Sequence, residues 1–141
     1  MLCQCQTLVM QDSIFTKIIK GEVPCHKIYE DERTIAFLDI HPVQPGMTLV
    51  VSKKQVETFL DLSDDDYIAF FATVKRVGQR LKEVFSDKIR VSVQIEGLDV
   101  PHVHAKLFAI NTGDQFRAKQ DTTSEPNHDE LAKIAEKIAI K

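Results

Sequence analysis

The 141-residue sequence predicts a single α+β domain, and three observations predict it. Short apolar segments bounded by turn residues read as antiparallel strands. One long segment near the middle has helical periodicity, and a second amphipathic segment closes the chain. Asp12 or Ser13 can cap a short helix carrying Ile14, Phe15, Ile18 and Ile19, stopped by Gly21 and Pro24. Lys27 to Tyr29 and Thr34 to Leu38 read as strands around the charged turn Glu30-Asp31-Glu32-Arg33. Pro42, Pro45 and Gly46 break the chain before a strand at Thr48 to Val51. Ser63 with Asp66 three residues on resembles a capping box, with Asp in the acidic place. From there Tyr67, Phe70, Phe71, Val74, Leu81 and Phe85 recur at helical spacing, which makes this the longest helix.

Arg90 to Ile95 alternates as a fourth strand, Glu96-Gly97-Leu98-Asp99 turns, and Val103 to Ile110 returns as its hairpin partner. Residues 111–127 are polar and read as a long surface loop. Leu131, Ile134, Ala135 and Ile138 mark a last helix, begun near Asn127 with Glu130 three residues on. The expected organisation is a disordered or over-extended N-terminus at 1–11, a domain at 12–111, and a loop and helix at 112–141 packing on it. No internal repeat is visible.

Composition excludes several classes. With 43% hydrophobic and 28% charged residues the chain reads as an ordinary globular protein. A net charge of −3 argues against a surface that coats nucleic acid. No apolar run approaches the ~20 residues that span a bilayer. The first residues lack a basic region and an apolar core, so no signal peptide is read and a reducing cytoplasm is expected. Cys3, Cys5 and Cys25 make no disulfide framework. The C-x-C of Cys3 and Cys5 is a weak metal signal.

Val100-Pro101-His102-Val103-His104-Ala105-Lys106-Leu107 carries the chemistry. On a strand, side chains two apart share a face, roughly 6–7 Å from one another. Val103, Ala105 and Leu107 then face the core, and His102, His104 and Lys106 form one polar row. A neutral imidazole can attack phosphorus and form a covalent intermediate that a second nucleophile resolves. The site then needs cationic or hydrogen-bonding neighbours for the phosphoryl oxygens and a donor for the leaving group. His104 has a helper on each side, and the fixed charge of Lys106 should lower its pKa. On spacing alone, H-x-H on a strand more often marks an exposed face or a metal pair. A lysine is not a normal zinc ligand at neutral pH, which weakens the metal version.

These residues resemble the histidine triad (HIT) family of nucleotide hydrolases and transferases, whose motif is His-x-His-x-His followed by apolar residues. The opening segment from Ser13 to Pro24 is similar to the family's first helix and turn, and Ile35 to Val51 is similar to its second block. The resemblance implies a compact α+β domain: an antiparallel sheet of about five strands, a long central helix, a short N-terminal helix and a C-terminal helix. It also implies a homodimer that pairs two sheets, and a purine nucleotide or nucleotide derivative as partner, with no cofactor. His104 corresponds to the histidine that forms a nucleotidyl intermediate with the α-phosphate, and His102 to one that orients the site and contacts phosphate. Ile14, Phe15, Ile18, Phe37 and Ile40 match the apolar cleft for the base, and Asp39 matches the carboxylate that takes the ribose hydroxyls. Taken without the resemblance, Phe37 and Asp39 read more simply as a core Phe and a turn Asp.

The sequence departs from the family pattern in four places. Lys106 stands where the third histidine is expected, a good charge stabiliser but a poor proton shuttle. The galactose phosphate uridylyltransferases, a related branch, carry glutamine there and still form the intermediate. Met47 stands where many members carry a further active-site histidine. Ser13, Thr16 and Gln55 stand where some bacterial members hold structural zinc, so no metal is expected. Leu98 and Asp99 fall where Gln and a small hydroxyl residue commonly touch phosphate. A carboxylate at Asp99 repels phosphate unless it pairs with Lys106 or His102. Three readings follow: a nucleotide hydrolase or transferase; a nucleotide-binding sensor with impaired catalysis; and a metal-binding domain built on His102 and His104.

Overall fold

The computed structural model describes residues 10–141, so Cys3, Cys5 and the tail at 1–9 lie outside the described residues. The elements follow in chain order: helix α1 (Ile14–Ile19), strands β1 (Lys27–Glu30), β2 (Thr34–Leu38) and β3 (Thr48–Ser52), and helix α2 (Asp64–Val84). After these come β4 (Arg90–Gln94), β5 (His104–Ile110), α3 (Gly113–Arg117) and α4 (His128–Ile138). The strands form one antiparallel sheet in the order β1-β2-β3-β5-β4.

Local chemistry explains the boundaries. Ser13 caps α1 by accepting from the Thr16 amide, and Ser63 caps α2 by accepting from the Asp66 amide. Three aspartates in the first turn of α2 complement its dipole. Asp31 turns β1 into β2 by accepting from the amides of Arg33 and Thr34. Gly46, before β3, has a φ of +83°, and a Cβ there would stand 2.5 Å from the Phe85 ring, so glycine is required on both counts.

The two faces of the sheet are covered differently. Ala36, Leu38, Val50, Ala105 and Leu107 project towards α2 and α4, meeting Phe70, Val77, Leu81 and Ile138 in the main core. Ile35, Phe37, Leu49 and Val51 project the other way and are capped by Phe15 of α1. The register then decides where the chemistry lies. Phe37 pairs with Leu49, which pairs with Lys106, while Ile35 pairs with Val51, which pairs with His104. His104 and Lys106 therefore stand on the α1 face, in cross-strand rows of apolar side chains. A one-residue slip of β5 would turn both into the main core.

Two expectations are corrected. Residues 111–127 are not loop throughout: they contain α3, capped by Thr112, whose hydroxyl accepts from the Gln115 amide. Five residues are too few for periodicity to show, but the Thr-x-x-Gln spacing at 112–115 was a legible capping signal. The last strand begins at His104, so His102 does not belong to the strand row. The bend has a backbone cause. The His102 amide donates to the Val100 carbonyl at 2.8 Å, and the Val103 amide turns away to the Val56 carbonyl at 2.9 Å. Val103, Ala105 and Leu107 are buried in the core as expected.

Candidate active site

His102 and His104 are both buried, at 0% and 4% exposure, in contrast to an open polar row. Each imidazole is held by a different mechanism. The Nε2 of His102 lies 2.6 Å from the Ser52 carbonyl, and a carbonyl can only accept, so Nε2 carries the proton. In the neutral ring Nδ1 is then an acceptor, and the Ser13 hydroxyl donates to it at 2.6 Å. Burial, the largest cause, pushes the His102 pKa below the ordinary imidazole value and keeps the ring in this neutral form.

His104 is oriented by His102 through the backbone. Its Nδ1 donates to the His102 carbonyl at 2.7 Å, which leaves the lone pair on Nε2. No described residue hydrogen-bonds that Nε2, and the ring lines a cavity on the α1 face. The Phe15 ring stands edge-on to His104 with centroids 4.8 Å apart, closing one side of it against water. The His104 pKa is lowered, first by burial and then by the Lys106 charge, against raising contributions from the His102 carbonyl, Glu96 and Asp39. The result is a neutral imidazole near pH 7 with one free nitrogen.

The cavity measures about 380 Å³ and gathers residues from distant segments. Ile14, Phe15 and Ile18 come from α1, Phe37 from β2, and Asp39 and Ile40 from the turn after it. Asp99 reaches it from the loop before β5, and His104 and Lys106 from β5 itself. Ile14 and Ile40 remain 44% and 42% exposed, forming the open rim, while Phe15 and Phe37 are buried in its floor. His102 is the expected site residue that does not line the cavity; it sits behind His104 with both ring nitrogens engaged. Its link to the cavity runs through His104, whose Nδ1 its carbonyl accepts from. Two free lone pairs for a metal are not presented by this histidine pair, and among the described residues no group of three or more His, Cys, Asp or Glu could hold a metal ion.

Lys106 pairs with neither histidine nor Asp99. Its ammonium donates to Gln120 Oε1 at 3.0 Å and stands 3.4 Å from Glu96 Oε1. Glu96 also accepts from the Leu98 amide at 2.8 Å, the largest cause of its lowered pKa, and remains a carboxylate beside Lys106. Asp99 is exposed at the rim. Asp39, one residue past the end of β2, accepts from the His41 amide on Oδ1 and from Gln120 Nε2 on Oδ2, each at 2.8 Å. Glu96 was legible only as a turn residue. Gln120 carried no signal at all, since it lies in a polar segment far along the chain.

The remaining departures also have physical places. Ser13, Thr16 and Gln55 bond to one another: Gln55 Oε1 accepts from the Ser13 amide at 3.0 Å and from the Thr16 hydroxyl at 2.5 Å. Hydroxyls and an amide are poor zinc ligands, and here they tie α1 to the loop after β3. Met47 is fully buried, its sulfur 3.5 Å from the Val43 amide, and it does not line the cavity.

A family model described as the HIT domain matches residues 20–111. The chain belongs to the HIT family. An uncharacterized HIT-like protein of Methanocaldococcus jannaschii is 37% identical over 123 residues, covering 85% of this chain and 95% of that one. An adenosine 5'-monophosphoramidase of Schizosaccharomyces pombe is 34% identical over 95 residues, covering 67% of this chain and 71% of its own. Among solved structures, a HIT-like protein of Bartonella henselae superposes with a TM-score of 0.76 at 28% identity, covering 90% of this chain and 94% of that one. The α+β fold of this HIT protein is thus shared with its relatives. Among the described residues no helix is long and apolar enough to cross a membrane.

Proposed function

We propose that this HIT protein is a nucleoside phosphoramidase, or a closely related nucleotide hydrolase or transferase, working through a nucleotidyl-histidine on His104. The single observation that carries the reading is the fixed tautomer of His104, with Nδ1–H on the His102 carbonyl and the Nε2 lone pair left for the cavity. Relatives named adenosine 5'-monophosphoramidase in two yeasts support the substrate class. The base packs among Ile14, Phe15, Ile18, Phe37 and Ile40, and Asp39 accepts from the ribose hydroxyls. Nε2 attacks the α-phosphorus. The phosphorus–nitrogen bond to the leaving amine breaks as the amine nitrogen takes a proton from solvent, while the Lys106 ammonium stabilises the charge on the phosphoryl oxygens. Water or another acceptor then attacks the same phosphorus, breaks the bond to Nε2 and releases its proton to solvent. His102 is a positioning residue that fixes the ring of its neighbour through its own carbonyl.

Incubation with adenosine 5'-phosphoramidate, quenched and mapped by mass spectrometry, should find the nucleotidyl group on His104. Bound nucleotide with neither adduct nor turnover would sink this reading. It would favour the second one, a nucleotide sensor with impaired catalysis, which the lysine at 106, the buried Met47 and the exposed carboxylate of Asp99 support. In that case Lys106→His with Met47→His should raise activity sharply from a near-zero baseline. The cytoplasm is the proposed compartment. The outer edge of β4 has no partner strand within the described chain, which supports a homodimer joined through that edge. Light scattering behind a sizing column should report twice the chain mass.

A further inference from the structure

The side chain of Gln120 stands between the two charged groups that the proposed chemistry uses. Its Nε2 donates to Asp39 Oδ2 at 2.8 Å and to the His41 carbonyl at 3.0 Å, so both amide hydrogens are committed. Its Oε1 accepts from Lys106 Nζ at 3.0 Å. The order of the two ends is forced, because an NH₂ group cannot face an ammonium and an amide oxygen cannot face a carboxylate. Gln120 also lines the same cavity, and it lies beyond the residues 20–111 that the family model matches. The segment carrying it is tied down a second time, where His41 Nε2 lies 3.0 Å from the Ser124 carbonyl.

An amide inserted between an ammonium and a carboxylate keeps them from neutralising each other. Without it, Lys106 and Asp39 line one cavity with no amide between them, and their opposite charges attract each other. With it, Asp39 is aimed from both sides, by the His41 amide on Oδ1 and by Gln120 on Oδ2. Each carboxylate oxygen keeps lone-pair capacity for a hydroxyl. Lys106 is held by a neutral acceptor and by Glu96 at the longer distance of 3.4 Å, so it stays available to an incoming phosphoryl oxygen.

We infer that Gln120 is the positioning residue that makes this site selective for ribonucleotides, by holding the sugar-reading Asp39 and the phosphate-reading Lys106 apart and aimed. The inference rests on the proposed role of Asp39 as the ribose contact, and it adds a residue that role does not include. Equilibrium binding of AMP and 2′-deoxy-AMP tests it without requiring turnover. The wild-type protein should prefer AMP by roughly tenfold or more, the usual scale of one hydrogen bond to a charged acceptor. Gln120→Met removes both ends of the bridge, and Gln120→Glu keeps the shape and the Lys106 contact but sets a carboxylate against Asp39. Both should bring the AMP to 2′-deoxy-AMP preference close to one while the melting temperature is unchanged. The Glu variant is isosteric, so its loss of preference does not come from packing. A wild-type ratio in either variant overturns the inference and leaves the His104 reading standing. A wild-type protein that binds neither nucleotide overturns the nucleotide reading itself, and a wild type that binds both equally removes the ribose role of Asp39 and this inference with it.

Discussion

The two sides of the His104 ring are built on opposite principles. Behind it, His102 is dry and closed, with its nitrogens taken by Ser13 and Ser52, and Ser13 is in turn part of the Thr16 and Gln55 cluster. In front of it, Asp39, Gln120, Lys106 and Glu96 form a polar chain that faces the cavity. Behind the ring both nitrogens of His102 are engaged and the residue is buried away from the cavity, whereas the front consists of groups whose partners a ligand can share. The rear therefore sets the tautomer and direction of one nitrogen, and the front reads what is brought to it. Substitutions behind the ring should cost stability, and substitutions in front should cost binding and rate.

The sharpest way to break that division is to remove the group both sides serve. His104→Ala should abolish the adduct and lower kcat/KM by roughly 10⁴-fold or more, as removal of a covalent nucleophile does elsewhere. Steady-state turnover of a nucleoside phosphoramidate measures it, and residual activity near wild type would mean another nucleophile. Next comes the front. Lys106→Met should lower kcat/KM by about 10²-fold through lost charge stabilisation, with little change in melting temperature. A large drop in melting temperature with unchanged kinetics would place Lys106 on the structural side instead.

A smaller effect is expected behind the ring. Ser13→Ala removes the cap of α1 and the donor to His102, and should cost about 1–2 kcal/mol in denaturant unfolding, with a modest loss of kcat. No change in stability would show that the rear is less tightly built than its distances indicate. The smallest effect is the dependence on pH. His102 and His104 have folded-state pKa values below the ordinary 6.5, chiefly because both are buried. Below that value the unfolded chain takes up protons that the folded chain refuses. Their contribution to stability is full above about pH 6.5 and is lost as pH falls from there towards the folded-state values. Urea midpoints at pH 7.5 and 5.5 should show this fall, and it should shrink in His104→Ala. The acid limb of kcat/KM should likewise lie below pH 6.5 and move up in Lys106→Met, because the lysine charge helps hold His104 neutral.

Much of this architecture is local and therefore legible from residue order. The strand from Thr34 to Leu38 and the start of α2 at Ser63 depend on neighbouring residues alone, through alternation and capping. The same holds for His104 and Lys106, because two residues of one strand share a face whatever lies opposite. His102 failed that rule because its amide bonds back to the Val100 carbonyl and the next amide, that of Val103, goes to Val56 rather than continuing the ladder, and Val56 lies in a loop more than forty residues away in the chain.

The amino-acid sequence by itself determined the α+β pattern, the nucleophile candidate and the apolar residues around it. Those depend on periodicity and on the intrinsic chemistry of each side chain. Tertiary structure alone decided which nitrogen of His104 is free, which carboxylate accompanies Lys106, and that Gln120 stands between Lys106 and Asp39. Hydrogen-bond partners are fixed by distance and direction in space. Residues 39, 106 and 120 approach one another only after the sheet has paired and the segment beyond α3 has folded back across its edge.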